Sequence, residues 1–587
     1  MSDSYFDADD VTREYDSRIV RRILAYLKPY KLLIVLTVAA LALSTLGELY
    51  IPVLQQKIID NALLGKNIPY LVKGCVLYLT ILVIVFGFTF MQTWTASLMT
   101  QRVMKDMRIG LFGKTVSQST DFLSRHPVGR IVTRLTGDVE TMDEFFTTVI
   151  VAFLKDISIM AGSVVTMFIL SPKLASVVLV TLPPVLVITL INRVKARDAF
   201  RRQRTASSKV FSYLSEHLAG IQVVQLFRQE KKSAKEFRAG NNELLDANIK
   251  EMYVFATFRP LVEWLAVFTV AAVIVFGCRM VSSVSISLGV LIAFINLVQM
   301  FFQPVTDIAE KYTMLQSAMA GGEKVFKLMD TDEQIPDTGT REIGEVRGHI
   351  EFENVRFSYK KGEDVLKGLS FAVKPGEMTA IVGYTGAGKT TIVNVLARLW
   401  DIDSGLIRLD GIPVNNIPLK DLRRSIMPVM QDVTLFSGTI EENITLGLDF
   451  SPEQIIEAAK TVYAHDFISS LPDGYKTVLS EGAANISTGQ RQLISYARVI
   501  AHNPRVVVLD EATSSVDTET ERLIQLGIKK VMSGRTSFVI AHRLSTIKNA
   551  DRILVLSAGR LMEEGTHEEL IARDGLYAGL YRLQYEE

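Results

Sequence analysis

The sequence predicts an all-α domain of six transmembrane helices with long helical extensions in the cytoplasm, followed by an α/β domain. Three observations support this two-part fold. A chain of 587 residues is too long for a single hydrophobic core. Six long apolar runs precede Pro304 and none follows it, although 48% of all residues are hydrophobic. From about Gly348 onward, short β-rich runs alternate with helical patterns and Gly/Pro turns, which is typical of α/β domains.

Each apolar run approaches the roughly 20 residues that a helix needs to cross the hydrocarbon core of a bilayer. The runs are nearly uncharged, and they cover about residues 32–53, 71–91, 149–170, 174–191, 261–278 and 286–302. The third and fourth runs are joined by little more than "SPK", and the fifth and sixth by "RMVSSVS". Long basic segments connect the second run to the third and the fourth to the fifth. We therefore expect short loops on one side of the membrane and long excursions on the other.

The two long segments contain few helix breakers, so they predict membrane helices that continue into the cytoplasm and turn back there. Pro127 and Gly129 can break the first excursion, and Gly220 can break the second. The tips are therefore predicted near residues 121–130 and 213–220.

The distribution of basic residues predicts the orientation in the membrane. Six cations precede the first run, namely Arg13, Arg18, Arg21, Arg22, Lys28 and Lys31. Because positive loops stay inside, the N-terminus, both excursions and the α/β domain are expected in the cytoplasm of a multi-pass protein of the cell (inner) membrane. The segment "SRIVRRILAYLKPY" predicts an interfacial amphipathic helix. The expected domains are a leader with this helix (1–31), the transmembrane domain (32–325), a linker (326–347, with the boundary near 335) and the α/β domain (348–587).

Composition argues against several other classes. A formal net charge of +1 gives no sign of a nucleic-acid partner. The two cysteines, Cys75 and Cys278, lie within apolar runs, which argues against a disulfide framework or a cysteine metal site. The N-terminus is acidic and polar and lacks the apolar core of a cleavable signal peptide, so we expect a partly disordered leader.

The stretch "GYTGAGKTT" matches a phosphate-binding loop, with Gly383, Gly388, Lys389 and Thr390 in register. It follows the strand-like "MTAIV" and precedes the helical "TIVNVLARLW", which makes a chance glycine-rich turn the weaker explanation. Backbone N–H groups would cradle the phosphates, Lys389 would neutralise them, and the Thr390 hydroxyl would reach Mg²⁺. The residues expected to hold the phosphates are Gly383, Tyr384, Thr385, Gly386, Ala387, Gly388, Lys389, Thr390 and Thr391.

Two carboxylates end the apolar run "RVVVLDE". Such a run is typical of a buried parallel strand, whose carboxyl end faces ligands in an open α/β sheet. Asp510 is expected to hold Mg²⁺ through water, and Glu511 to polarise an attacking water. A strand that ends in solvated acids is common by itself, but this explanation weakens beside a phosphate loop.

The tetrad Ser487-Thr488-Gly489-Gln490 opens a predicted helix. Ser487 at the N-cap with Gln490 three residues later predicts a capping box. A helix start with a hydroxyl and a glycine can also bind an anion, because its free N–H groups and the helix dipole favour negative charge. From the tetrad alone, the capping interpretation is favoured.

The order of these motifs resembles that of the ATP-binding cassette (ABC) ATPases. The resemblance runs from Ile350 to the end of the chain, and the six preceding runs with two excursions resemble the half-transporters of type IV ABC exporters. By this resemblance, Tyr359 in "RFSY" stacks on adenine and Gln431 in "MPVMQD" contacts Mg²⁺ and the lytic water. Asp517 in "SSVD" lies in the loop that crosses the dimer, and His542 in "VIAHRLST" contacts the γ-phosphate.

The resemblance implies an ATP- and Mg²⁺-dependent pump that works as a pair of half-transporters by alternating access. It also implies that the tips of the two excursions act as coupling helices between the two domains. In this family the signature of one subunit completes the nucleotide site of the other. Ser487, Gly489 and Gln490 are then expected to face the partner's ATP, and this favours phosphate binding over capping alone. The implied catalytic residues are Glu511, His542 and Gln431, and the implied metal ligands are Thr390, Gln431 and Asp510.

The signature departs from the family pattern Leu-Ser-Gly-Gly-Gln, because Ile486 and Thr488 replace the leucine and the first glycine. Thr488 adds a branched side chain where the family has none, and this restricts the approach of a phosphate. A heterodimer with one weakened ATP site is therefore favoured. A homodimer that tolerates threonine, such as a lipid flippase, remains the alternative.

The membrane half gives less information about the cargo. Glu48 and Glu263 lie in predicted spans, where acids are functional candidates, and could attract cationic amphiphiles. Glu263 could instead pair with Arg259, four residues earlier on the same helix face. Drugs, lipids and peptides all remain possible cargo beside the membrane lipid. An ATP-gated channel or receptor is the alternative from another class. The six runs exclude a soluble cassette protein, and the fused cassette disfavours an importer.

Overall fold

The computed structural model describes residues 17–63, 67–341, 343–360, 362–430, 433–510, 518–540 and 544–585. The chain divides into two compact units. A helical unit comprises Met1–Val116 and Val128–Thr331, and an α/β unit comprises Ser117–Pro127 and Asp332–Glu587. The tip of the first excursion thus belongs to the α/β unit, although its sequence lies between two helices of the other unit.

The described residues of the N-terminal part of the chain are mainly helical. Its α-helices are α1 (Ser17–Ala25), α2 (Lys31–Ile58), α3 (Ile68–Val116), α4 (Thr120–Arg125), α5 (Val128–Thr133), α6 (Val139–Glu144), α7 (Val151–Leu170), α8 (Pro172–Leu179), α9 (Leu182–Ala219), α10 (Ile221–Leu226), α11 (Glu230–Ser282) and α12 (Leu288–Asp330). Short π-helical turns extend or join some of them at Ile59–Leu63, Arg134–Asp138 and Phe145–Ile150.

Among the described residues, six helical stretches are long and apolar enough to cross a membrane, and each contains one predicted run. They are Lys28–Ala62, Ile68–Val116, Val128–Leu170, Pro172–Ala219, Glu230–Ser282 and Leu288–Asp307. The fourth run, expected to be continuous, is interrupted between α8 and α9. Pro183 and Pro184 explain the break, because a proline has no N–H to donate and its ring bars the carbonyl four residues earlier.

Both excursions turn back through a short helix. In the first, Ser119 caps α4 by accepting a hydrogen bond from the N–H of Phe122, and α5 resumes at Val128. In the second, α9 continues to Ala219, so the predicted tip at 213–220 is placed too early. Gly220 ends α9, as predicted, and starts the turn, which Arg228 completes with a left-handed backbone. Without a breaker before Gly220, helical hydrogen bonding simply continues.

The predicted amphipathic helix α1 packs against the last turns of α12. Ile23 is fully buried beside Gly322, and the Arg22 guanidinium lies 4.3 Å from the centre of the Phe326 ring. Arg22 also forms an ion pair with Asp330, which holds the pKa of that carboxyl below its usual value. These contacts attach the start of the described chain to the end of the helical unit.

The expected linker (326–347) begins as helix, because α12 continues to Asp330. The segment that follows is extended and is fixed to the α/β unit. The N–H of Arg341 donates to the Asn416 carbonyl at 3.1 Å, and the Asp337 carboxylate accepts from the N–H of Leu419 at 3.0 Å. These two hydrogen bonds therefore hold the linker against the rest of the α/β unit.

The rest of the α/β unit contains strands and shorter helices. The strands are β1 (Ile350–Ser358), β2 (Asp364–Val373), β3 (Met378–Gly383), β4 (Ser404–Leu409), β5 (Ile412–Pro413), β6 (Ile426–Val429), β7 (Gly438–Thr439), β8 (Val478–Leu479), β9 (Val506–Asp510), β10 (Thr536–Ile540), β11 (Arg552–Ser557) and β12 (Arg560–Gly565). The helices are α13 (Lys389–Leu396), α14 (Leu419–Ser425), α15 (Ile440–Thr445), α16 (Pro452–Thr461), α17 (His465–Ser470), α18 (Thr488–His502), α19 (Thr518–Met532), α20 (Leu544–Lys548), α21 (His567–Ala572) and α22 (Leu576–Tyr585).

Two main sheets organise this unit. The six-stranded sheet has the order β12-β11-β3-β10-β9-β6 and is parallel except at β12, whereas the sheet β2-β1-β4-β5 is antiparallel. Strands β3, β9 and β10 are buried over most of their length, which explains their apolar sequences. The carboxyl ends of β3 and β9 lie at the same edge of the sheet, on either side of β10. The predicted fold class is confirmed.

Candidate functional site

The loop between β3 and α13 has the conformation that the glycine-rich sequence predicts. A Cβ at Gly383 would lie 2.3 Å from the Leu556 carbonyl oxygen, so a side chain is excluded there. Gly388 is the N-cap of α13 with φ of +99°, which only glycine adopts readily. Tyr384, Thr385 and Gly386 form the exposed top of the loop, while Ala387 is buried beneath it. The backbone of the loop therefore leads directly into the first turn of α13.

Lys389 reaches back over this loop. Its Nζ donates hydrogen bonds to the carbonyl oxygens of Gly383 at 2.5 Å and Tyr384 at 3.4 Å. Burial lowers the pKa of the Lys389 ammonium, and the nearby charge of Asp510 opposes that shift. Thr390, the next residue, is exposed in the first turn of α13, and Thr391 is buried.

Asp510 ends β9 at the edge of the sheet where the loop lies. In the parallel register, Ile540 of β10 stands beside both Asp510 and Ile381 of β3. The effect of Asp510 on the pKa of Lys389 agrees with this closeness. The Thr390 hydroxyl and the Asp510 carboxylate are hard oxygen donors, the type that Mg²⁺ prefers.

Tyr359 stands at the side of the loop, next to a cavity of about 650 Å³. The Tyr359 hydroxyl donates to Thr391 Oγ1 at 3.3 Å and accepts from Asn394 Nδ2 at 3.1 Å, and the Trp400 ring packs on it edge to face with centroids 4.7 Å apart. The ring remains 38% exposed. The cavity is lined by Tyr359, Lys360, Gly362, Glu363, Asp364, Val365, Lys367, Gly386 and Ala558.

Sequence reasoning did not identify Asn394 and Trp400, which hold Tyr359 in place. Trp400 is one of only three tryptophans in the chain, and it follows the helix that the phosphate loop begins. This position close to the phosphate loop is a sequence feature that could have identified Trp400 as part of the site. Asn394 offered none, because an asparagine within a short helix is as often a surface residue.

The start of α18 forms the predicted capping box. Ser487 Oγ accepts from the N–H of Gln490 at 3.2 Å, and Gln490 Oε1 accepts from the N–H of Ser487 at 3.0 Å. This part of the prediction is confirmed. Ser487 and Thr488 are exposed, whereas Gly489 is buried within its own chain. The Thr488 hydroxyl accepts a hydrogen bond from Arg491 at 3.0 Å.

Four predicted site residues lie outside the described residues. They are Gln431, Glu511, Asp517 and His542. In the sequence, Glu511 directly follows Asp510, the last residue of β9, and His542 lies two residues after Ile540, the last residue of β10. Their roles stay predictions.

Glu48 and Glu263, the two acids singled out in the predicted spans, both form ion pairs. Glu48 of α2 accepts from Lys155 of α7 at 2.8 Å, and both side chains are about one quarter exposed, at 23% and 27%. Arg259 pairs with Glu263 at 3.1 Å, as the alternative to a cargo role anticipated. Lys155, which lies inside the third apolar run, was not singled out from the sequence.

A second ion pair involves the residue next to Lys155. Asp156 of α7 pairs with Lys311 of α12, and both side chains are mostly buried. Adjacent residues on a helix point in different directions, so α7 places opposite charges against α2 and α12. These two pairs connect three membrane-spanning helices.

The chain is similar to known proteins over nearly its whole length. Residues 34–305 match the ABC transporter transmembrane region family, and residues 366–514 match the family described as ABC transporter. An uncharacterized ABC transporter ATP-binding protein of Bacillus subtilis is 36% identical over 99% of this chain and 97% of the relative. An ATP-dependent lipid A-core flippase of Syntrophus aciditrophicus is 33% identical over 97% of this chain and 95% of the relative. A fatty acid ABC transporter ATP-binding/permease protein of Mycobacterium tuberculosis is 35% identical over 84% of this chain and 78% of the relative.

Proposed function

The chain belongs to the ABC transporter family, and on that premise we propose that it is a half-transporter that exports or flips a lipid-like amphipathic compound. It is a multi-pass membrane protein that binds ATP and couples ATP hydrolysis to transport. The observation that carries the proposal is the union, in one chain, of six apolar helices with a phosphate loop shaped around Gly383 and Lys389. Neither part alone distinguishes a pump from a channel or a soluble ATPase.

The loop would hold the phosphates through its backbone N–H groups and the start of α13. Lys389 would exchange its bonds to the Gly383 and Tyr384 carbonyls for phosphate oxygens. Tyr359, steadied by Trp400 and Asn394, would stack on the base beside the cavity.

The residues proposed for hydrolysis include Asp510, which ends β9 at the edge of the sheet where the phosphate loop lies. Thr390, Asp510 and Gln431 would hold Mg²⁺, which supplies charge neutralisation for the phosphates. Glu511 would polarise the attacking water, and His542 would contact the γ-phosphate. Asp517 would lie at the contact between two cassettes. Each role rests on the resemblance, supported by the neighbouring geometry at Asp510 and Lys389.

A second subunit would complete the site. Ser487 and Gln490, at the exposed start of α18, would face the ATP held by the partner's loop. Exposed apolar residues at the second tip also favour a partner, since Leu226 is 79% and Phe227 66% exposed. We assign a heterodimer, because Thr488 replaces the glycine that lets a phosphate approach closely.

The cargo class follows from the similar proteins. Two of them are named as a lipid A-core flippase and as a fatty acid transporter, and both names denote lipid cargo. Lipid-like cargo agrees with the paired state of Glu48 and Glu263, because a paired carboxylate attracts a cationic drug less strongly.

The positive-inside rule supports an orientation in the cell membrane with the N-terminus and the cassette in the cytoplasm. The domain limits that belong to this proposal are 32–325 for the transmembrane domain and 348–587 for the cassette. The change from helical to α/β architecture after α12 supports two domains, although α12 continues past residue 325 to Asp330.

Reconstitution in liposomes tests the function. We expect ATP-dependent movement of nitrobenzoxadiazole-labelled phosphatidylethanolamine between leaflets, measured by dithionite quenching, and accumulation of a cationic dye to a lesser extent. Glu511→Gln should bind ATP normally but slow hydrolysis by roughly 10³-fold or more, because it removes the group that polarises water. Passive flux without ATP would favour a channel, and near-normal hydrolysis in Glu511→Gln would remove Glu511 from its role.

A further inference from the structure

The first excursion and the linker meet in one cluster of contacts, which we call the clasp. It consists of Ser117, Gln118, Ser119 and Arg125 on one side and Glu333 and Gln334 on the other, all within the α/β unit. The N–H of Ser119 donates to the Glu333 carbonyl at 3.0 Å, and the N–H of Glu333 donates to Gln118 Oε1 at 2.9 Å. Both backbone polar groups of Glu333 are therefore bonded to the excursion.

Side chains reinforce these backbone bonds. Arg125 pairs with Glu333 and also with Asp121 at 2.6 Å, and Gln334 Nε2 donates to Ser117 Oγ at 3.0 Å. The hydrogen bonds to the two carboxylates raise the pKa of Arg125, so its charge persists at any physiological pH. An exposed ion pair alone contributes little. The clasp is held by more than an exposed ion pair, because the Gln118 side chain is only 6% exposed and accepts a hydrogen bond from the backbone N–H of Glu333.

The clasp lies close to the points where the chain passes from one unit to the other. The chain passes between the helical and the α/β unit at residues 116–117, 127–128 and 331–332. The clasp joins the first of these crossings to the third, and α4, which carries Arg125, leads directly to the second. Helices α3, α5 and α12 therefore all leave the α/β unit from one hydrogen-bonded cluster.

We infer that the clasp makes α4 and the linker move as one body, so that ATP-driven motion of the cassette reaches α3, α5 and α12 together. Gln118, Arg125 and Glu333 are positioning residues for transport, and none of them is assigned to nucleotide chemistry. This inference rests on the proposed function. Its consequence is specific: loosening the clasp separates ATP hydrolysis from cargo movement.

The variants Glu333→Gln and Gln118→Ala test this, singly and combined, in reconstituted protein. We expect the combined variant to move at least about five-fold fewer labelled lipids per ATP hydrolysed, while hydrolysis and vanadate trapping of nucleotide stay within about two-fold. Glu345→Gln is the matched control, because its ion pair with Arg505 is also exposed and lies in the same linker. It should leave the ratio unchanged.

A covalent cross-link between the two sides of the clasp gives the decisive test. Ser117→Cys with Gln334→Cys, in a Cys75→Ala and Cys278→Ala background, can be bridged by a short bifunctional methanethiosulfonate. Bridging should restore coupling to the combined Glu333→Gln and Gln118→Ala variant, because the cross-link keeps the clasp closed throughout the cycle. Loss of transport on bridging, an unchanged ratio in the variants, or equal loss of hydrolysis and transport would each overturn the inference. Failure of the unmodified protein to move either the labelled lipid or the dye would instead contradict the proposed function.

Discussion

Thr488 is the residue whose meaning changed most between sequence and structure. The sequence presents it as bulk placed where a phosphate approaches. In the structure its hydroxyl also accepts a hydrogen bond from Arg491, whose guanidinium lies 3.4 Å from the Ala483 carbonyl oxygen. Thr488 therefore fixes a cation near the start of α18, besides narrowing the approach.

Substitution separates these two effects in the protein assembled with its partner. Thr488→Gly should raise ATP turnover about five-fold, equivalent to about 1 kcal/mol in the barrier, if side-chain bulk limits the site as we expect. Thr488→Val keeps the bulk but removes the hydroxyl, so its turnover should not rise. Thr488→Ser is the control that keeps the hydrogen bond. Equal turnover in the glycine variant and the natural protein would show that this signature is not weakened by threonine.

Lys389 links nucleotide binding to pH. Burial lowers the pKa of its ammonium in the nucleotide-free protein, and a neighbouring phosphate would raise that pKa again. At a pH between the pKa of Lys389 in the nucleotide-free protein and its pKa beside a phosphate, ATP binding is accompanied by the uptake of a proton. The affinity for ATP should therefore fall as pH rises through the lowered pKa. Calorimetry in two alkaline buffers of different ionisation enthalpy measures this uptake. Binding heat that is independent of the buffer would contradict it.

At the scale of elements, a carboxylate joins the C-terminal end of α2 to the N-terminal start of α12. Asp60 accepts from the N–H of Gly289 at 3.0 Å and from the Ser287 hydroxyl at 2.5 Å. A Cβ at Gly289 would lie 2.5 Å from the Gln56 carbonyl oxygen, so glycine permits this close approach. A helix N-terminus favours a carboxylate because its dipole is positive. The contact fixes the start of the sixth span against the first.

The ion pair between α2 and α7 predicts a stability effect. Lys155→Met should lower the free energy of unfolding by about 1 to 3 kcal/mol, because it leaves the Glu48 carboxylate unpaired in a largely buried position. Adding Glu48→Gln should recover most of the loss. Thermal unfolding in detergent measures both.

Arg259→Gln is the control for this pair. It removes an exposed ion pair and should change stability by less than about 1 kcal/mol. Dye export by Glu48→Gln, measured beside basal ATPase, decides whether Glu48 also contacts cargo. Lost export with unchanged ATPase would support the cargo role and oppose a purely structural one.

At the scale of the whole molecule, the chain presents one phosphate loop and one signature, and the family pairs each with its counterpart in another subunit. For a heterodimer we expect the chain purified alone to hydrolyse ATP at less than about a tenth of the rate of the assembled pair, since a composite site is incomplete. Size-exclusion chromatography with light scattering gives the oligomeric state. A stable homodimer with ordinary ATPase activity would contradict the heterodimer.

The sequence by itself determined the class of each half, the six spans, the phosphate loop and the capping box at Ser487. These features depend on local rules: hydrophobic length, glycine conformation and hydrogen bonds between residues three or four apart. It placed the second tip too early and missed the break before α9, because the effect of a breaker depends on which neighbouring segment can continue the helix.

Only the tertiary structure decided which distant groups meet. Lys155 neutralises Glu48, Trp400 packs on Tyr359, and Arg125 bonds with Glu333 across 208 positions of the chain. Each residue type is visible in the sequence, but an ion pair or a ring contact depends on separation in space, which falls to a few ångströms only after folding. The pattern along the chain therefore specifies the parts of this transporter, and the fold specifies the contacts that connect them.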